Sequence, residues 1–180
     1  MRVPVIVIAS SLLFAAAGAS AQGINDAQIA SIVVTANTVD IDAGKLAQTT
    51  STNAEVKKFA ERMITDHTGV NKSAVDLVTK LKVTPQDNPT SQSLKSGGES
   101  NVASLKALKG AAFDKAYIDH EVVYHQQVLD AVDKTLIPGA KNEELKALLV
   151  KVRPAFVAHL EHAKMIQSSM GAAGGSMGKK

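Results

Sequence analysis

TPQDNPTSQSLKSGGESNVASLKALK, residues 84–109, is the stretch on which the fold turns. It holds Pro85, Pro89, Gly97 and Gly98, and its helical spacing is confined to a weak piece near residues 102–108. At 26 residues it is much longer than the link between two helices that fold straight back on each other. A segment of this length can travel the whole of a ~40 Å bundle, given ~1.5 Å per residue when helical and ~3.3 Å when extended.

On both sides of it the apolar residues recur at alternating steps of three and four, the spacing of one helical face. Before it, one seam runs Ile29, Ile32, Ala36, Val39, Ala43 and Leu46. A second runs Val56, Ala60, Met63, His67, Val70, Ala74, Leu77 and Leu81, with Ser51, Thr52 and Asn53 as candidate caps and Glu55 in its first turn. After it, a third seam introduced by Gly110 runs Ile118, Val122, His125, Leu129, Val132 and Leu136. The fourth begins near Asn142 and runs Leu145, Leu149, Val152, Phe156, His159, Ala163, Ile166 and Met170. Pro154 inside it predicts a kink or the start of a new segment. The links at residues 49–53 and 137–141 are of hairpin length. Two helical hairpins joined by a long crossover that contains a short extra helix make a ferritin-like four-helix bundle, all-α.

The composition agrees. Of 180 residues, 45% are hydrophobic and 21% charged, which excludes disorder throughout; the formal net charge of +3 gives no sign of a nucleic-acid partner. Absence of Cys excludes disulfides, thiolate metal sites and cysteine nucleophiles. No Gly-rich phosphate loop or nucleophile elbow is present.

Arg2, an uncharged run from Val3 to Ala17 and Ala19-Ser20-Ala21 read as a signal peptide, residues 1–21, cleaved after Ala21. The expected destination is the periplasm or the exterior, with no membrane span in the mature chain. Residues 22–170 then form the bundle domain, with 19 basic and 17 acidic side chains remaining in the mature chain, and residues 171–180 a disordered Gly/Ser/Lys tail.

Three histidines, His67, His125 and His159, occupy seam slots where Leu or Val would be expected, and each lies near the middle of its helix. They can share one layer of the core. Imidazoles projecting inward at one height, with carboxylates beside them, are what a bundle uses to hold a metal ion. The carboxylate candidates are Asp40, Asp66 and Glu121, the last four residues before His125 on the same side of its helix. His120 and His162 lie off the main seam and are weaker candidates. Met63, one turn before His67, and Met165 could add thioether sulfur, which would favour copper.

The stretches Asp40 to Ala47, Val56 to His67, Phe113-Asp114-Lys115-Ala116-Tyr117, and Leu149 through Pro154 to His159-Leu160 resemble the exported bacterial family called domain of unknown function 4142. The resemblance covers essentially the whole mature chain. It implies a ferritin-like fold and a mainly proteobacterial, exported protein. It also matches His67, His125 and His159 to the family's histidine positions and puts Asp40 where members often carry Glu. No settled activity comes with it. Di-iron bundles use Glu-x-x-His on two helices, whereas Ile64 and Phe156 stand three residues before His67 and His159 here. That departure disfavours Fe and suits a single Cu or Zn ion. The expected function is therefore an exported metal-binding bundle without catalytic turnover. The alternative is a structural or stress-related envelope protein whose histidines are hydrogen-bonded and which acts by contact with a protein partner or a second copy.

Overall fold

The computed structural model describes residues 23–176, with side chains to residue 170. The expected signal peptide, residues 1–21, lies outside the described residues. Six α-helical elements are present: α1 (Asp26–Thr50), α2 (Ala54–Leu81), α3 (Pro89–Lys106), α4 (Gly110–Ala131), α5 (Ile137–Gly139) and α6 (Glu143–Ser176), with a π turn, Val132–Leu136, between α4 and α5. No strand occurs among the described residues.

Three of the four long helices, all but α4, start on a side chain that accepts from the free N–H groups of the first turn. Asn25 and Gln28 form a capping box on α1, Asn53 accepts from the amides of Glu55 and Val56, and Asn142 accepts from those of Glu144 and Leu145. The Asp26 carboxylate takes the amides of Lys141 and Asn142 at 2.8 and 3.0 Å, which ties the start of α1 to the start of α6.

The crossover is more regular than its sequence suggests. In place of a weak helical piece near 102–108, an 18-residue helix fills most of it, opened by an Asn88–Ser91 capping box with Pro89 in its first turn. Gly97 and Gly98 cost helix propensity, but Gly98 is required by packing. A Cβ there would stand 2.6 Å from Val39 Cγ2 on α1.

The structure departs from the expected element bounds at three further places. The link after α4 is not a loop over 137–141, because the helix continues through the π turn and α5 to Gly139. Pro138 has no N–H to give the carbonyl four residues back, and the Ile137 amide bonds Val132 O, one residue further than an α-helix allows. Likewise Pro154 starts no new segment, since α6 runs through it unbroken. That helix also continues to Ser176, past the expected end of the domain at residue 170, with no Pro to stop the ladder; residues 177–180 lie outside the described residues.

Two apolar cores fill the bundle, and a polar layer separates them. One core gathers Ile29, Ile32, Val70, Leu94, Leu129, Leu149 and Phe156 among others. The other gathers Ala43, Phe59, Met63, Leu105, Tyr117, Ile118 and Ile166. Going along the chain, α1 and α6 pass from the first core to the second, while α2 and α4 pass from the second to the first. The four helices therefore run up, down, down, up, and α3, with Leu94 in the first core and Leu105 in the second, carries the chain back the full length. Helix α1 packs on α2 and α3, α4 on α6, and α2 on α6. This is the two-hairpin, crossover-linked bundle.

Candidate metal centre

Midway along the bundle, where the two cores meet, each of the four long helices contributes polar side chains. Asn37 and Asp40 come from α1, His67 from α2, Glu121 and His125 from α4 and His159 from α6, all buried. The three ring centroids lie 5.2 to 5.6 Å apart, and one nitrogen from each ring lies within 4.8 Å of the others. Asp40, Glu121 and His125 form a second such group. Asp40 Oδ2 stands 3.0 Å from His67 Nε2 and 3.4 Å from His125 Nε2, so the carboxylate sits between two rings.

The partners on the far side of each ring decide which nitrogen is free. The Asn37 amide is oriented by its Nδ2, which donates to Val33 O at 2.7 Å. Its Oδ1 therefore faces His67 Nδ1, at 2.6 Å, and an amide oxygen can only accept. Hence His67 carries its proton on Nδ1 and presents a lone pair at Nε2. His125 Nδ1 lies 3.1 Å from the Glu121 backbone carbonyl, another pure acceptor, which leaves Nε2 free. His159 Nε2 faces the Asp66 carboxylate at 2.8 Å, which leaves Nδ1 free. Metal-ligating histidines are held in this way, by an acceptor on the remote N–H that fixes tautomer and ring plane.

The consequence is a concentration of unsatisfied acceptors. His67 Nε2, His125 Nε2, His159 Nδ1, both oxygens of Asp40 and both of Glu121 are buried and make no hydrogen bond. With both rings neutral, the short Nε2–Oδ2 separations set acceptor against acceptor; a proton on His125, which Asp40 and Glu121 favour, or a cation between the groups relieves this. Buried polar atoms without partners are rare and costly, and seven in one layer ask for a cation among them.

Charge is held there too. Burial alone would raise the Asp40 pKa, but the three surrounding histidines outweigh it and bring it down to about 2. His125 is lowered by burial and raised by Asp40 and Glu121, and the net direction is up. His159 is lowered to about 4, first by burial and then by His67 and His125 against the pull of Asp66. Tyr117 and Tyr124, beside the layer, are pushed well up by burial together with the Asp40 and Glu121 charges, so both keep their protons.

The other candidates lie elsewhere. His120 keeps 18% side-chain exposure, stacks on Tyr124 and stands 4.0 Å from Glu121 Oε1. His162 packs edge-on against Phe59 at 5.3 Å. Met63 is fully buried within the second core, and Met165 is 64% exposed. Neither of the two histidines belongs to a group of His and carboxylate side chains close enough to share an ion. Asp66 is the remote partner of His159 and also bonds Arg62 at 3.3 Å. Asn37 is the residue the seam pattern missed; its signal was a polar side chain three residues before Asp40, on the same face of the helix.

No helix among the described residues is long and apolar enough to cross a membrane. No curated protein and no solved structure matches the chain. One family model does, described as a domain of unknown function (DUF4142), and it matches residues 11–166. Residues 26 to 166 of that span contain α1 to α5, most of α6 and every polar side chain of the buried layer, and the chain belongs to this family.

Proposed function

We propose that this is an exported metal-binding protein that holds one copper or zinc ion in the mid-bundle layer. His67 Nε2, His125 Nε2 and His159 Nδ1 are its nitrogen ligands, and Asp40 supplies an oxygen. Glu121 completes the set or accepts a hydrogen bond beside it. The observation that carries the reading is the tautomer pattern: each ring is oriented by an acceptor on one nitrogen, and the three nitrogens left over are buried without hydrogen bonds in one layer where the rings lie 5.2 to 5.6 Å apart. Three imidazoles and one carboxylate suit zinc or Cu(II) and offer little to iron in the absence of any Glu-x-x-His. A tetrahedral ion with bonds of ~2.1 Å needs ligand atoms about 3.4 Å apart, and one nitrogen from each ring lies within 4.8 Å of the others, close to that requirement. The apolar run and small-x-small site at residues 3–21 support export.

Calorimetric titration of the purified chain with Cu and with Zn tests this. One ion bound per chain is expected, and His67→Ala should abolish binding while helix content stays unchanged by circular dichroism. Binding that is absent, or indifferent to the substitution, would favour the alternative of an envelope protein acting by contact.

A further inference from the structure

A cavity of about 40 Å³ lies in the first core, directly against the polar layer. Rings of His67 and His125 form one end of it, and Ile32, Val128, Leu149 and Phe156 are among the side chains of its wall. It is more than large enough for a water molecule, which needs roughly 10–15 Å³. A water also needs two to four polar partners, and the polar groups of this wall are already committed. Asn37 is spent on Val33 O and His67 Nδ1, the Tyr124 hydroxyl donates to Ala36 O at 2.8 Å, and the free nitrogen of each histidine is turned toward Asp40. Only carbon is presented to the space.

The fold keeps this space open for identifiable reasons. Ala131 and Leu136, both on its wall, flank or belong to the π turn that Pro138 imposes, and the turn breaks the regular spacing of α4 side chains where they would otherwise fill the core. Helices α1 and α4 touch only lightly. Ala36, Val128, Ala131 and Val152, the half-buried members of the wall, mark its mouth.

From these observations we infer that the cavity is a binding site for one small, uncharged, apolar molecule of the size of a dissolved diatomic gas, held against the His67 and His125 rings. A charged or hydrogen-bonding ligand finds no partner there, whereas dry apolar cavities take up xenon and small apolar molecules. The molecule rests in van der Waals contact with two rings of the candidate metal centre, on the side away from their free nitrogens. The inference stands on the cavity wall and not on the metal, so it is tested on metal-stripped protein, and its failure leaves the metal reading untouched.

The test is methyl NMR of the purified chain under xenon and, separately, under dioxygen pressure. Xenon is expected to give saturable shifts at the methyls of Ile32, Val33, Val128 and Leu149, with none at Ile118 or Ile166 in the second core. Paramagnetic dioxygen should enhance relaxation at the same four residues several-fold more than at Ile118 and Ile166. Ala131→Leu, which fills the space, should remove both effects. Should that variant fold poorly, Val128→Ala enlarges the cavity and should increase the xenon response. Shifts that do not saturate, that appear equally in both cores, or cross-peaks from a resident water to these methyls would overturn the inference.

Discussion

Asn37 does more for the buried layer than its own burial suggests, because its amide oxygen decides which nitrogen of His67 is free. Asn37→Ala leaves His67 Nδ1 without an acceptor, at a cost of about 1–3 kcal/mol in stability, and frees the ring to turn over. Metal affinity is expected to fall roughly 10- to 100-fold, as for other partners of ligating histidines, measured by competition with a chromophoric chelator; undiminished affinity would mean that the amide does not set the tautomer. His159 carries a separate prediction about pH. Its folded pKa of about 4 lies below the usual ~6.5, because burial and then the neighbouring imidazoles disfavour its charge. Between these two values the unfolded chain binds a proton that the folded chain refuses, so folding weakens as pH falls from about 6.5 to about 4. His125 acts in a different window. Its folded pKa is raised, so its contribution is complete below about 6.5 and is lost only as pH rises through the folded value. The melting temperature of metal-free protein should therefore drop on acidification through the lower window. His159→Phe should make that drop shallower without abolishing it, since His162 is also lowered by burial; an unchanged slope would contradict the assignment. The three histidines were legible in the sequence because each breaks an apolar seam at mid-helix. Asn37 was not, because a polar residue beside a seam is ordinarily exposed, and only the packing of α1 against α2 shows that this one is not.

At the scale of elements, the four long seams were readable because a 3.6-residue stripe survives local irregularity, and their caps at Asn53 and Asn142 stand where the pattern starts. Helix α3 was harder to see for a physical reason. Serines and two glycines lower its intrinsic propensity, and what makes it helical is its Asn88–Pro89–Ser91 start together with its packing along α1. The π turn depends on a proline that sits beyond it, and periodicity cannot register a single added residue. Gly98 is where the α1–α3 packing can be tested. Gly98→Ala sets a methyl 2.6 to 2.7 Å from both γ carbons of Val39, and should cost about 1–3 kcal/mol of stability by urea denaturation. Val39→Ala in the same chain should return part of that loss, with a coupling above about 0.5 kcal/mol in the double-mutant cycle. Simple additivity of the two changes would show that α3 can move away from α1 freely.

Across the whole molecule, the polar layer draws on both hairpins: Asp40 and His67 belong to the first, His125 and His159 to the second. Two apolar cores on either side would hold such a bundle together by themselves, and a layer of unsatisfied acceptors between them weakens it. A cation bound in that layer reverses the sign of its contribution and links the hairpins across the interface between α2 and α6. An ion at 100 times its dissociation constant stabilises the folded state by about 2.7 kcal/mol. For a chain of this size that corresponds to a rise in melting temperature of roughly 5–10 °C. Slowed amide exchange should accompany it on α1 and α2 as well as on α4 and α6, because opening either hairpin breaks the site. His125→Leu removes a ligand and one of the imidazoles that hold the buried Asp40 charge, so the metal-free variant should melt lower than the metal-free parent, and zinc or copper should no longer raise its melting temperature. A metal-induced rise of equal size in the variant would place the ion elsewhere on the molecule, and protection confined to one hairpin would show that the layer does not join the two.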